Sequence, residues 1–247
     1  MKADPFVQLR LLELQGLDSA LDRLRHRRTS LPELAELARL DSLVGALRDA
    51  TVRAETEVSD LAREQAKFER EIEQVRTRRD RDRQRLESGT ITVAKQLQDL
   101  QHEVATLGRR QSDLEDSELE VMERVETAQG ELDRLTALRT EHLEARGAAE
   151  TGRDTALTDI DAEVERTVAE RTALAAGLPA DLLALYERLR ASEGGTGAGE
   201  ISRGRCGGCH LDLMNNEKTD IRAAAPDEVL RHEECGRIMV RTAESGL

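Results

Sequence analysis

Apolar residues recur along this chain every seventh position. One series runs Leu40, Leu47, Ala54, Leu61, Phe68, Val75, and a second sits four residues later at Val44, Thr51, Val58, Gln65 and Ile72. Two such positions per heptad form the seam along which helices pair. The pattern stops at Glu87-Ser88-Gly89-Thr90-Ile91-Thr92, a break rich in turn formers and β-branched residues. It resumes at Leu100, Leu107, Leu114, Val121, Ala128 and Leu135, accompanied by Leu97, Val104, Val125 and Leu132. Matched seams around one short break predict an antiparallel helical hairpin with its tip near 87–92. At 1.5 Å per residue, roughly 50 residues per helix make an arm on the order of 75 Å long. The alternative is one continuous helix that dimerises; Ser88-Gly89-Thr90 interrupts both propensity and seam and weighs against it.

Upstream, Val7, Leu11, Leu14, Leu17 and Leu21 mark a first amphipathic helix, with Asp4-Pro5 as cap and first-turn proline. It is expected to end near Arg28, with Ser30-Leu31-Pro32-Glu33 opening the next helix through a capping box. If residues 87 and 92 face each other, partners across the hairpin sum to about 179. The break at 29–32 then lies opposite 147–152, where Gly147 and Gly152 weaken helix, and a bend is expected at that level. The arm spans 1–177. A connecting helix at 178–193 begins at Leu178-Pro179-Ala180-Asp181, with Leu182, Leu185, Tyr186 and Leu189 on one face. Gly194-Gly195-Thr196-Gly197-Ala198-Gly199 reads as a flexible joint, and 194–247 as a separate module.

Composition supports a seam in place of a broad core. Of the 247 residues 35% are charged and 1% aromatic, leaving Phe6, Phe68 and Tyr186 alone. No run of apolar residues is long enough to cross a membrane, and Met1-Lys2-Ala3-Asp4-Pro5 lacks the apolar core of a signal peptide. Three cysteines, all near the C-terminus, make no disulfide framework. An intracellular, cytoplasmic protein is expected. The net charge of −13 argues against a surface that binds nucleic acid throughout. Its distribution is uneven: Arg76, Arg78, Arg79, Arg81, Arg83 and Arg85 against Asp80 and Asp82 give residues 76–85 a local charge of +4, leaving −17 elsewhere. These arginines are either a phosphate-binding stripe or a solvated helix face paired with nearby acids.

The chemistry is concentrated in Cys206-Gly207-Gly208-Cys209 and His232-Glu233-Glu234-Cys235. Each pair of ligand-type residues is separated by two others, the spacing that lets a tight knuckle aim both side chains at one ion, and Gly207, Gly208 and Gly236 permit the sharp turns. Two knuckles 22 residues apart can close a tetrahedral Zn2+ site with Cys206, Cys209, His232 and Cys235 as metal ligands. A closed shell has no open position for water or substrate, so the zinc is assigned a structural role. The surrounding fragment is too small to hold itself together without a staple. His210, beside Cys209, is the rival fourth ligand, and three free thiols with incidental histidines is the bland reading. His26, His102 and His142 lie on charged helical stretches and read as solvated or tolerated seam positions.

These motifs resemble those of bacterial proteins that join a long coiled-coil hairpin to a C4-type zinc ribbon, a group with an actinobacterial branch and with flagellar regulators of ε-proteobacteria. The resemblance covers essentially the whole chain. It is carried by Ser88-Gly89-Thr90, Leu100-Gln101-His102-Glu103, Arg110-Gln111-Ser112-Asp113-Leu114-Glu115, Cys206-Gly207-Gly208-Cys209 and Glu234-Cys235-Gly236-Arg237-Ile238. It implies a mostly α fold: a long antiparallel coiled-coil hairpin with a small C-terminal zinc ribbon of β-knuckles. It also implies a nucleic-acid- or protein-binding adaptor. The family's usual fourth cysteine falls at His232, giving a Cys3His site with one less negative charge.

Three functions compete. A nucleic-acid-linked adaptor in transcription or RNA metabolism would use the arginine run to neutralise phosphates of RNA or DNA. Against it, residues 201–247 are close to neutral and contain no aromatic for base stacking. A protein-binding scaffold would use the arm to span distance and the ribbon to dock a protein partner. An enzyme is least supported: no Ser-His-Asp grouping, phosphate loop or open metal site is present, so no catalytic residue and no small-molecule substrate is assigned.

Overall fold

The computed structural model describes residues 1–246. Its elements in chain order are α1 (Pro5–Thr29), α2 (Pro32–Glu87), α3 (Ala94–Ala176), α4 (Ala180–Ser192), β1 (Ala198–Ser202), β2 (Arg205–Cys206), α5 (Asn215–Ala223), β3 (Leu230–Arg231) and β4 (Ile238–Val240). They fall into two compact units, Ala35–Glu150 and the pair of segments Met1–Leu34 with Thr151–Leu247.

The first unit is a hairpin. Every seam residue read from the heptads, on α2 and on α3 alike, is buried or half-buried. The ion pairs Arg78–Glu103, Arg110–Glu71, Arg124–Glu64 and Arg146–Asp41 link the helices in opposite chain directions, so they are antiparallel within one chain. This excludes the continuous dimeric helix. Relative to the expected sum of 179, the partners are offset by two residues at Arg78–Glu103 and by eight at Arg146–Asp41. An arginine reaches about one helical turn, whereas all four pairs sum to more than 179, Arg124–Glu64 by nine, so the facing residues lie further along α3 than the expected register places them. At the tip, the Ser88 N–H closes α2 on the Gln84 carbonyl at 2.9 Å, and Gly89 takes a left-handed φ of +67°. The first heptad series continues beyond Val75 to Asp82. This carboxylate is 3% exposed, and Arg78, Arg81 and Arg85 reach within 4.0 Å of it. The seam therefore turns polar next to the tip.

In the second unit, α1 begins with the expected cap, the Asp4 carboxylate accepting from the Phe6 N–H at 2.8 Å. Its end differs from expectation. The Ser30 hydroxyl donates to the His26 carbonyl at 2.9 Å, so Ser30 closes α1 instead of opening α2 with a capping box. Leu31 is then drawn into a cluster with Leu24 and Ile160. On the returning side Gly147 and Gly152 both lie within the single helix α3.

The four strands form one sheet in the order β2-β1-β4-β3, with β1 parallel to β4 and the outer pairs antiparallel. Ala198, Ile238 and Val240 from β1 and β4 share a core with Leu11 and Leu14 of α1 and with Leu182, Tyr186 and Leu189 of α4. The glycine segment before β1 is thus no flexible joint. Gln15 of α1 donates to the Gly195 carbonyl at 3.0 Å and accepts from the Gly197 N–H at 2.7 Å, while Arg237 Nε donates to the Thr196 carbonyl at 2.9 Å. A Cβ at Gly197 would lie 2.7 Å from the Tyr186 carbonyl oxygen, so here glycine permits close packing. The N-terminal residues bind the same body: Ala3 N–H donates to the Asp227 carbonyl at 2.7 Å, and Val229 N–H to that of Met1 at 3.1 Å. No helix among the described residues is long and apolar enough to cross a membrane.

Candidate metal centre

Two chain reversals build the centre. The first follows β2: Cys206 N–H donates to the Leu211 carbonyl at 2.9 Å, His210 N–H to the Cys206 carbonyl at 2.7 Å, and Gly207 N–H to the Glu200 carbonyl at 2.8 Å. These bonds fold residues 206–210 into a knuckle whose two sulfurs share one side. A Cβ at Gly208 would lie 2.6 Å from Arg237 Cδ, which ties the first knuckle to the second. The second follows β3: His232 N–H donates to the Arg237 carbonyl at 3.0 Å, Gly236 N–H to that of His232 at 2.8 Å, and Gly236 adopts φ +68°.

The knuckles bring the ligand atoms of Cys206, Cys209, His232 and Cys235 within 4.8 Å of one another. His232 Nδ1 lies 3.3 Å from Cys209 Sγ and 3.1 Å from Cys235 Sγ. Zn–S and Zn–N bonds of about 2.3 and 2.0 Å imply tetrahedral edges of about 3.5–3.8 Å, so the cluster matches a tetrahedral ion after small adjustments. The donor set, three sulfurs and an imidazole, is one that zinc prefers. These four residues form a Cys3His site for one metal ion. His210 does not join it: its side chain is exposed and its backbone takes φ +62° at the exit of the first knuckle. The thiols differ in environment. Burial pushes Cys206 up to about 11. Burial also opposes ionisation at Cys235, but hydrogen bonds from the Arg237 backbone and from His232 outweigh it and bring that thiol down to about 7.

A fifth residue, not singled out by the sequence reading, stands behind the cluster. Glu217 in the first turn of α5 is 4% exposed. Its carboxylate accepts from Glu233 N–H at 2.9 Å and from Met214 N–H at 3.3 Å, and it lies 3.7 Å from His232 Nε2. That nitrogen is buried and has no hydrogen-bond partner. Its sequence signal was faint, a glutamate at the third position of a short helix between the knuckles.

The arginine run lies on the last turns of α2. Arg76, Arg78, Arg81, Arg83 and Arg85 are exposed, and Arg79 is half-buried. Most already face acids: Arg78 pairs with Glu103, Arg79 with Asp80 at 3.2 Å, Arg83 with Glu87 at 3.0 Å, and Arg81 and Arg85 approach Asp82. Both arms of the sequence reading are thus represented, a basic stripe and a set of local pairs.

Residues 14–194 match the model of the CT398-like coiled coil hairpin domain, and residues 205–239 that of the C4-type zinc ribbon domain. The uncharacterized protein Rv2229c of Mycobacterium tuberculosis is 43% identical over 245 residues, covering 98% of each chain. A solved structure from Mycobacterium smegmatis superposes with a TM-score of 0.84 at 38% identity, covering 98% of this chain and 100% of that one. CT398 from Chlamydia trachomatis shares the fold, with a TM-score of 0.66 at 20% identity over 96% of this chain and 98% of its own.

Proposed function

The chain belongs to the CT398-like coiled-coil hairpin family and carries its C4-type zinc ribbon as a Cys3His variant, and from that premise we propose that it is a non-enzymatic adaptor whose hairpin tip contacts nucleic acid or a nucleic-acid-associated partner. One Zn2+ held by Cys206, Cys209, His232 and Cys235 has a structural part, because four protein ligands complete a tetrahedral shell. The observation that carries the nucleic-acid reading is the stripe of exposed arginines beside the tip of a strongly acidic chain. Exposed ion pairs such as Arg83–Glu87 are worth little, so phosphates can displace the carboxylates at small cost.

The second reading, a scaffold that binds only protein, is favoured by those same pairs, since a face already neutralised by Asp80, Asp82, Glu87 and Glu103 has less charge to offer. Affinity capture from the native cytoplasm, with and without nuclease, separates the two. The adaptor reading expects partners, or nucleic acid itself, to leave on nuclease treatment; a partner set unchanged by nuclease would favour the scaffold.

A further inference from the structure

We propose that Glu217 is a positioning residue for the metal centre. It would hold the Nε2–H of His232 and supply the negative charge that the centre lacks for want of a fourth thiolate. The inference rests on the Cys3His site described above.

Three observations converge on it. First, the imidazole is oriented: Nδ1 faces the sulfurs of Cys209 and Cys235, and Nε2 faces away from them. A metal on Nδ1 leaves the proton on Nε2. That N–H is buried without a hydrogen-bond partner, a costly arrangement unless an acceptor closes on it. Second, an acceptor stands close by. Glu217 Oε2 lies 3.7 Å from Nε2, a few tenths of an ångström beyond a hydrogen bond, a gap similar in size to the shift by which Nδ1 must draw away from the Cys209 and Cys235 sulfurs to admit an ion. Third, Glu217 is itself buried and held by two backbone N–H groups, one at the start of α5 and one from Glu233 within the second knuckle. A buried carboxylate fixed in this way is aimed, not stranded.

The charge balance gives the arrangement its purpose. Zn2+ with four thiolates carries −2, and with three thiolates and a neutral imidazole −1. A carboxylate hydrogen-bonded to the imidazole restores −2 to the group as a whole and raises the basicity of the ligating nitrogen. Through the same side chain α5 is tied to the second knuckle, so metal binding and docking of α5 become one event.

The test is a double-mutant cycle read by zinc affinity in the full-length protein, using a chromophoric chelator as competitor, and by the absorption spectrum of the Co2+-substituted protein. Glu217→Gln keeps the shape of the side chain but leaves one acceptor oxygen where two are used, so an N–H must face either the His232 N–H or the Glu233 backbone N–H. It is expected to weaken zinc by about 10–100-fold and to shift the Co2+ ligand-field bands, while the sulfur charge-transfer bands of three thiolates persist. In the His232→Cys background no imidazole needs an acceptor and only the bonds from the Glu233 and Met214 N–H groups remain to be weakened, so Glu217→Gln is expected to cost clearly less zinc affinity there, the two losses differing by more than the roughly twofold scatter of independent sites. An equal loss in both backgrounds, including failure to hold zinc in either, would mean that Glu217 acts only through the packing of α5 and would overturn the proposal. So would an unchanged affinity in the His232 background. A parent protein that binds no zinc at all would remove the Cys3His site itself, a failure distinct from these.

Discussion

At the scale of single residues, the polar side chains buried in the stripe of α1 organise the body around the ribbon. Leu11, Leu14 and Leu21 were legible as an apolar face, but Gln8, Gln15 and Asp18 lie on that face too and are buried. Periodicity marks which positions face inward; it does not reveal what backbone or charge will meet a polar residue there. Gln15 satisfies the glycine segment, and Asp18 gathers Arg171 Nε at 2.7 Å and the Tyr186 hydroxyl at 2.6 Å. Burial, followed by the Asp18 hydrogen bond, pushes the Tyr186 phenol far above its usual value. An unfolded tyrosine loses its proton near pH 10, where the folded one keeps it. The folded state then binds more protons than the unfolded, so stability falls as pH rises above about 10. Tyr186→Phe removes one buried hydrogen bond, with an expected cost of about 1–2 kcal/mol at neutral pH. It should also flatten the decline above pH 10. Urea unfolding of both proteins at pH 8 and pH 10.5 checks this; parallel declines would show that Tyr186 is not the titrating group.

At the scale of elements, the arm was legible and the junction was not. A heptad seam repeats the same signal many times, so Leu40 to Val75 and Leu97 to Leu135 disclosed helix, seam and hairpin together. The two knuckles were equally plain, because metal ligation demands particular side chains at fixed spacing. The glycine segment misled because flexibility and close packing use the same residue: Gly197 looks like a linker in sequence and is a contact against Tyr186 in the fold. The short α5 and the parallel pairing of β1 with β4 depend on contacts between distant segments and left little local trace. This junction changes what metal removal should do. Because β1 and β4 share their core with α1 and α4, loosening the ribbon should disturb those helices as well. Tyr186 is the one tyrosine in a chain without tryptophan, and it sits in that shared core, so its fluorescence reports directly. Chelation of zinc, or Cys235→Ser, is expected to change Tyr186 emission and its access to a soluble quencher while most far-ultraviolet helix signal remains. Unchanged Tyr186 emission on full zinc loss would show that the ribbon folds independently of the helices beneath it.

At the scale of the whole molecule, charge is the property that separates the two functional readings. A chain of net charge −13 repels nucleic acid on average, so any binding must be concentrated where the sign reverses. Residues 76–85 are such a place. There the polar seam around Asp82 and the exposed flanks put several guanidinium groups within reach of solvent, with no aromatic among them. Contact would then be to phosphate, with little preference for sequence. Replacing Arg78, Arg79, Arg81 and Arg83 with Gln keeps good helix formers and leaves the apolar seam untouched. Arg85 remains beside the buried Asp82, and the pairs removed with Glu103, Asp80 and Glu87 are exposed and individually weak, so the hairpin is expected to stay folded. The four substitutions lower the net charge of the stripe from +4 to about zero, which by counterion release should cut affinity for single-stranded RNA or duplex DNA sharply at low salt. The slope of log affinity against log salt should shrink by up to about three units if each arginine meets a phosphate. Titrating fluorescent oligonucleotides across a salt series, with circular dichroism to verify the fold, measures both quantities. An unchanged slope in the quadruple variant would clear the tip of phosphate contact and leave the nearly neutral ribbon to account for any binding. A parent protein without affinity even at low salt would leave the arginine stripe as a self-paired helix face, and the adaptor would then act through protein contacts alone.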